Sequence, residues 1–359
     1  MADMFDYLSW RGDIRFSQLG MNDVDALIFS SLAYVRYEGV VPEDPRLAAP
    51  LGTVAKTILA LPEPETRSRV PEDLELLRAA AETERYGRVS VTGYQTVFDP
   101  AEETQFAALS FLLDDGSAFL AFRGTDNTLV GWKEDFNMTF QESVPAQRLA
   151  QEYVCRLAAV HSGPMYLGGH SKGGNLAVYA GAKCPEEIQS RLIQVFNHDG
   201  PGFTEAMMSD PGYLRIIPRV RTLVPQSSVF GMLLEHEEAY TVIRSRSVGV
   251  FQHDPYSWEI MGPAFIPVED RTADSRFLDR TFRTWLAGMT PAERNEFFDA
   301  VFDLLMMENA SRPRDLMRPQ HLRTLLRTIR MDEEKRRLIA SVLIDLVESA
   351  RNTHIEMTE

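Results

Sequence analysis

The chain has 359 residues, 44% of them hydrophobic, and a formal net charge of −15 at pH 7. That length suits one large domain or two smaller ones, and the apolar content is ample for a sizeable core. The acidic balance speaks against a nucleic-acid partner, which calls for a basic face, and against a strongly anionic membrane surface; its simplest consequence is solubility.

In chain order, MADMFDYLSWRGDIRF carries acids from its third residue and no basic stretch leading into an apolar run, so it does not read as a secretory signal. Residues 22–36 and 71–85 carry apolar side chains at helical spacing, the first behind a capping-type Asn22, the second with Pro71 in its first turn. The period then changes. VSVTGYQTVFDP, QFAALSFLL and AFLAFRGT read as strands, the last two joined by the turn residues Asp114 to Ser117. A helix around 145–160, the strand PMYLGGH and a helix starting at Lys172 follow. LIQVFNHDGPGF, RVRTLV and AYTVIRSRSVGVF read as three more strands. Such alternation predicts an α/β fold with a mostly parallel sheet and helices on both faces.

From about residue 272 the pattern is helical again, in SRFLDRTFRTWLAGM, PAERNEFFDAVFDLLMME, LRTLLRTI and EEKRRLIASVLIDLVESARN, with a break near Ser311-Arg312-Pro313. The expected division is a core over 1–268, with a helical lead-in, and a helical subdomain over 269–359. No apolar run approaches the roughly eighteen residues of a transmembrane helix. Cys155 and Cys184 are the only cysteines, too few for a disulfide framework or thiolate metal cluster. A reduced, cytoplasmic protein is expected.

The strongest chemical signal is Gly169-His170-Ser171-Lys172-Gly173, a G-x-S-x-G pattern. Glycines on both sides let the chain turn sharply between a strand and a helix and lift the serine hydroxyl above the sheet edge. The pattern alone arises by chance in roughly one chain of this length in ten. Here the apolar Met165-Tyr166-Leu167 precedes it and a helix follows, so Ser171 is the expected nucleophile. A second signal is Phe122-Arg123-Gly124-Thr125-Asp126, followed by Gly131-Trp132-Lys133-Glu134-Asp135. Acyl transfer needs two N–H groups aimed at the developing oxyanion. The amides of Thr125 and Lys172 are expected to supply them, with the Thr125 hydroxyl as a possible helper. A local Arg123–Asp126 ion pair closing the turn is the competing reading.

Among seven histidines, His253 stands after an apparent strand Val248–Phe251 and before the helical tail, where a general base is kept; His198 is the other candidate. His170 should point away from the hydroxyl, and His161, His236, His321 and His354 have nothing to single them out. Chain order in this fold runs Ser, acid, His, which selects Asp199. Asp254 is a poor substitute, being next to its own histidine. No H-E-x-x-H or Cys/His ligand spacing occurs, so neither metal nor cofactor is implied. The Gly-x4-Gly-Lys-[Ser/Thr] spacing of a phosphate loop is absent too.

These segments, with Asp6–Asp13, Asp23–Leu27, Asn197–Gly202 and Gln252–Asp254, resemble a bacterial lipase-like α/β-hydrolase family of unassigned function, distantly related to class 3 lipases. The resemblance spans nearly the whole chain. It implies the hydrolase fold, a Ser-Asp-His triad and esterase or lipase-like activity on a small-molecule ester with a hydrophobic acyl part. One departure stands out: class 3 lipases keep their acid after the next strand, where this chain has Val224-Pro225-Gln226-Ser227-Ser228-Val229 and no carboxylate. Either the acid has moved to Asp199 or the triad is incomplete. The same residues would serve a thioesterase, amidase or acyltransferase, and an incomplete triad would suit a non-catalytic binding protein. The tail's large apolar residues, from Phe277 to Met307, suggest a part in the substrate entrance, or simply a core of the tail's own.

Overall fold

The computed structural model describes residues 1–126, 128–229, 231, 234, 238–306, 342 and 344–354. One eight-stranded sheet runs in chain order: β1 (Ala48–Pro50), β2 (Ser90–Asp99), β3 (Thr104–Leu112), β4 (Ala118–Phe122), β5 (Met165–His170), β6 (Leu192–His198), β7 (Val220–Pro225) and β8 (Tyr240–Ile243). Neighbours from β1 to β4 are antiparallel, and those from β4 to β8 are parallel. A small hairpin, β9 (Ile260–Met261) and β10 (Ala264–Phe265), stands apart.

The helices are α1 (Met4–Arg11), α2 (Asp23–Leu32), α3 (Leu51–Leu59), α4 (Pro71–Ala81), α5 (Leu129–Asn137), α6 (Pro145–Ala158) and α7 (Lys172–Lys183). They continue with α8 (Glu186–Gln189), α9 (Glu205–Met208), α10 (Pro211–Ile216), α11 (Ala273–Ala287) and α12 (Pro291–Met306). Asn22 caps α2 through its side chain and Asp25 returns the bond to the Asn22 amide, a reciprocal capping box.

Side-chain alternation divides the core between the two faces of the sheet. Phe119 and Ala121 of β4 pack with Leu109, Phe111 and the helices α1 to α4. Their neighbours Ala118, Leu120 and Phe122 pack with α6, α7 and α10. Successive right-handed crossovers that advance in one direction put their helices on one face. The lead-in helices must therefore cover the other. This is the α/β-hydrolase architecture expected from the sequence, mostly parallel and covered on both sides.

Three sequence expectations change. The segment read as one strand over AYTVIRSRSVGVF is a strand only through Ile243, and Gly249–His253 is a 3-10 helix. Gly249, at φ 55, turns the chain there, so His253 comes from a turn and not a strand end. The helices α1 and α3 and the short β1, too brief to show a period, are additional. The third change concerns α5, which follows the Arg123–Thr128 loop and carries the Trp132–Asp135 run that had no assigned element.

The helical tail packs against α5. Phe136 stacks on Phe298 at 4.6 Å, and Leu129, Trp285, Leu286, Phe297 and Phe302 share one cluster. Lys133 pairs with Asp299 at 2.9 Å and Glu103 at 2.6 Å. Among the described residues, the tail's buried apolar side chains thus form one cluster together with α5, the helix that follows the Thr125 loop. His236, His321, Met307, the Ser311-Arg312-Pro313 break and the LRTLLRTI helix lie outside the described residues, as does most of the last helix before residue 344.

Candidate functional site

Parallel pairing aligns the carboxyl ends of three neighbouring strands. Phe122 of β4 is level with Gly169 of β5, and His170 of β5 with His198 of β6. Arg123, Ser171 and Asp199 each begin the next loop, so they gather at one sheet edge, where open α/β sheets form their binding crevice.

Ser171 sits at φ 58, ψ −135, between β5 and α7. A non-glycine residue in that region is strained, and such strain concentrates at functional turns. The turn closes because its flanks have no side chains. A Cβ on Gly169 would lie 2.3 Å from the Gly173 carbonyl, and one on Gly173 only 2.1 Å from the Phe122 oxygen. The Ser171 amide donates to the His198 carbonyl at 2.9 Å, fastening the turn to β6.

Asp199 is fully buried with φ 54, a left-handed conformation that Asp adopts more readily than most residues. Its amide donates to the Leu223 oxygen at 2.8 Å. His253 Nδ1 donates to Asp199 Oδ2 at 2.6 Å, and the Ser228 hydroxyl donates to Oδ1 at 2.5 Å. Ser228 lies in the stretch that lacks a carboxylate. It supplies a hydroxyl to the acid one strand away, and Ser275 at the start of α11 in turn donates to the Ser228 carbonyl at 2.5 Å. Sequence reading passed over Ser228 because it sought a carboxylate there; the signal was the position, not the residue type. The His253 side chain remains 21% exposed beside this buried acid.

His170 is fully buried, and it has a task. Its Nε2 lies 2.7 Å from the His253 carbonyl, which can only accept, so Nε2 carries the proton. Nδ1 then accepts from the Tyr34 hydroxyl at 2.9 Å. Burial, followed by the neighbouring His253, holds His170 well below the usual histidine range, and it stays neutral. It braces the backbone of His253, with the two rings 4.6 Å apart. His198, the other candidate base, is stacked on Phe196 and edge-on to Trp258. Burial pushes its pKa down to about 3, and it is a packing residue. Asp254 accepts from the Tyr256 amide at 3.2 Å and so caps the following turn.

The Thr125 loop runs beside the serine, since a Cβ on Gly124 would lie 3.1 Å from Ser171 Cβ. Arg123 and Asp126 do form the local ion pair, at 3.8 Å, and Asp126 also accepts from the Thr128 amide at 3.1 Å. The Thr125 hydroxyl donates to Asp135 Oδ2 at 2.5 Å. Its one proton is thereby committed, so it gives no help to an oxyanion, and the Thr125 amide is the donor left to consider. Burial raises the Asp135 carboxyl to about 6. Lys172 opens α7, and a first-turn N–H has no partner within its own helix. No group of His, Cys, Asp and Glu arranged to hold a metal ion occurs among the described residues. Nor is any helix there long and apolar enough to cross a membrane.

The structure is similar to a Rhizomucor miehei lipase in a native propeptide complex, with a TM-score of 0.38 and 12% identity over 61% of this chain and 67% of that one. It is also similar to M37 lipase, with a TM-score of 0.37 and 14% identity over 58% and 69%. No curated protein matches the sequence. A family model described as Mbeg1-like matches residues 80–303. That span covers more than half of the chain and includes Thr125, Ser171, Asp199 and His253: the chain belongs to the Mbeg1-like family.

Proposed function

We propose that the protein is a serine hydrolase of carboxylic esters with a hydrophobic acyl part. The observation that carries this reading is the strained Ser171 turn beside a histidine whose Nδ1 is held by a buried aspartate at 2.6 Å. Ser171 Oγ attacks the ester carbonyl carbon while His253 Nε2 takes its proton. Asp199 fixes the tautomer that leaves Nε2 unprotonated and stabilises the imidazolium. The amides of Thr125 and Lys172 donate to the oxyanion. Collapse of the tetrahedral intermediate breaks the bond to the alkoxy oxygen, which leaves with the proton from Nε2. Water then attacks the acyl-serine, giving its proton to His253, and the second tetrahedral intermediate collapses to the acid as Ser171 Oγ leaves with the proton from Nε2. None of these steps calls for a metal or cofactor.

Thioester cleavage, amide cleavage and acyl transfer to another acceptor would use the same atoms. A non-catalytic binding role drew its support from the missing carboxylate after β7; the Ser228–Asp199 bond favours the reading in which the acid has moved to Asp199. We take 1–268 as the unit carrying the chemistry and 269–359 as a helical subdomain whose contact with α5 borders the entrance. The free thiols of Cys155 and Cys184 suit a reducing compartment such as the cytoplasm.

The test is labelling with a fluorophosphonate probe, alongside hydrolysis of p-nitrophenyl esters from two to sixteen carbons. Ser171→Ala should abolish both with a change in Tm of only a few degrees, because an elbow serine contributes little to packing. A variant that keeps more than about a hundredth of the wild-type rate would reject Ser171 as nucleophile.

A further inference from the structure

Lys172 follows the serine directly, yet its side chain turns inward and is only 1% exposed. Its ammonium donates to Glu134 Oε2 at 2.9 Å, to the Gln105 carbonyl at 2.8 Å and to Gln105 Oε1 at 3.1 Å. Glu134, fully buried on α5, also accepts from the Gln105 amide at 3.0 Å and from the Ala146 amide at 2.9 Å. Gln105 Oε1 accepts from the Asp126 amide at 3.3 Å, one residue beyond Thr125. The next residue of α5, Asp135, holds the Thr125 hydroxyl and lies 3.9 Å from the ammonium.

Stability alone does not account for this pair. An apolar pair of similar volume commonly matches a buried ion pair in stability. A cation at the first position of a helix also stands at the positive end of the helix dipole, the unfavourable end. The chain accepts both costs at the point where the serine turn, α5, α6 and the Thr125 loop converge.

We propose that the Lys172 and Glu134 side chains are a positioning clamp. Through Gln105 they set the spacing between the Thr125 amide and the Lys172 amide. The inference rests on the reading of Ser171 as nucleophile and of these amides as oxyanion donors. Neither clamp side chain touches substrate. Loosening the clamp shifts one donor relative to the other, which affects the charged intermediate and leaves ground-state binding alone.

The experiment compares wild type with Lys172→Met/Glu134→Leu, an apolar replacement of the pair. A second variant, Glu134→Gln, keeps the shape and one carbonyl oxygen, and serves if the first does not fold. Folding is checked by Tm and circular dichroism, and kcat and KM are measured on an ester and its thionoester. A thionoester develops charge on sulfur, a weaker acceptor, so the ester-to-thionoester ratio reports on the oxyanion donors. The clamp predicts that kcat on the ester falls roughly 100-fold, the penalty of an ångström-scale misplacement, with KM unchanged and the ratio reduced. Folded variants with wild-type kcat and ratio would overturn it, as would a lower kcat with an unchanged ratio. Ser171→Ala, run in parallel, separates the two ideas: if it still hydrolyses ester, the nucleophile reading falls first. If it is dead while the clamp variants are normal, the clamp alone is wrong.

Discussion

Asp25 and Asp199 are both fully buried carboxylates, one in the lead-in layer and one beneath the serine turn. Asp25 accepts from Arg85 through Nε at 2.8 Å and Nη2 at 2.5 Å, from the hydroxyls of Tyr7 and Tyr86 at 3.0 and 2.5 Å, and from the Asn22 amide at 3.0 Å. Arg85 spends its remaining donors on the carbonyls of Ile14, Leu19 and Gly20. The side chains of Asp25, Arg85, Tyr7 and Tyr86 are all buried, and the network ties three segments of backbone together. Asp199 instead holds a histidine that is partly exposed, at the sheet edge where Ser171 sits at positive φ. The first arrangement is a strut, and the second has the form of a site. Both bury charge, but only the second leads from the buried acid towards solvent, through the partly exposed imidazole of His253.

Four substitutions, with Asp254→Asn as a control for the first, test that contrast, the largest effect first. Asp199→Asn should cut turnover roughly 10⁴-fold, as when an imidazole loses its orienting carboxylate. Steady-state kinetics on the folded variant decide it, and Asp254→Asn should do far less. Arg85→Met strips the partner from a buried carboxylate and should cost roughly 3–5 kcal/mol of stability. Denaturant titration measures that loss, and kcat per folded molecule should not move; a fall in kcat would blur the line between strut and site.

Ser228→Ala removes a side-chain donor to Asp199 while leaving His253 in place. The loss of about 1–2 kcal/mol for such a bond corresponds to roughly tenfold in turnover. An unchanged rate would mean that Ser228 only fills space.

The smallest effect concerns His198→Phe. Because burial lowers the His198 pKa from 6.5 to about 3, the folded state binds fewer protons than the unfolded one between those values. Its stability contribution is therefore present above about pH 6.5 and lost as the pH falls toward 3. The Phe variant should lose less Tm between pH 7.5 and 5 than wild type and keep kcat within a few-fold. His170, lowered likewise, keeps its own share of the acid sensitivity in both proteins. If His198→Phe is instead as inactive as His253→Ala, the assignment of the base is wrong.

Much of this is legible in the sequence alone. The G-x-S-x-G run between an apolar strand and a helix carries its turn in its own covalent chemistry, because only glycine fits where Gly169 meets Gly173. The alternation of strands and helices fixed the architecture for a similar reason: periods of 2 and 3.6 are local properties of the chain. What the sequence could not decide were distances between residues far apart in it. Asp199 and His253 are separated by 54 positions, and their 2.6 Å contact depends on how the 249–253 turn folds over β6. A short apolar run such as Val248–Phe251 reads equally as strand or turn until tertiary packing chooses. The role of Lys172 was hidden for the same reason. Its partners come from residues 105 and 134, and a lysine beside a nucleophile looks solvent-facing until the buried carboxylate opposite it is seen. Sequence determined which residues turn and which carry chemistry; only the packing of β3, α5 and α7 against one another decided which charges meet, since a buried charge is stable only where the fold supplies its partner.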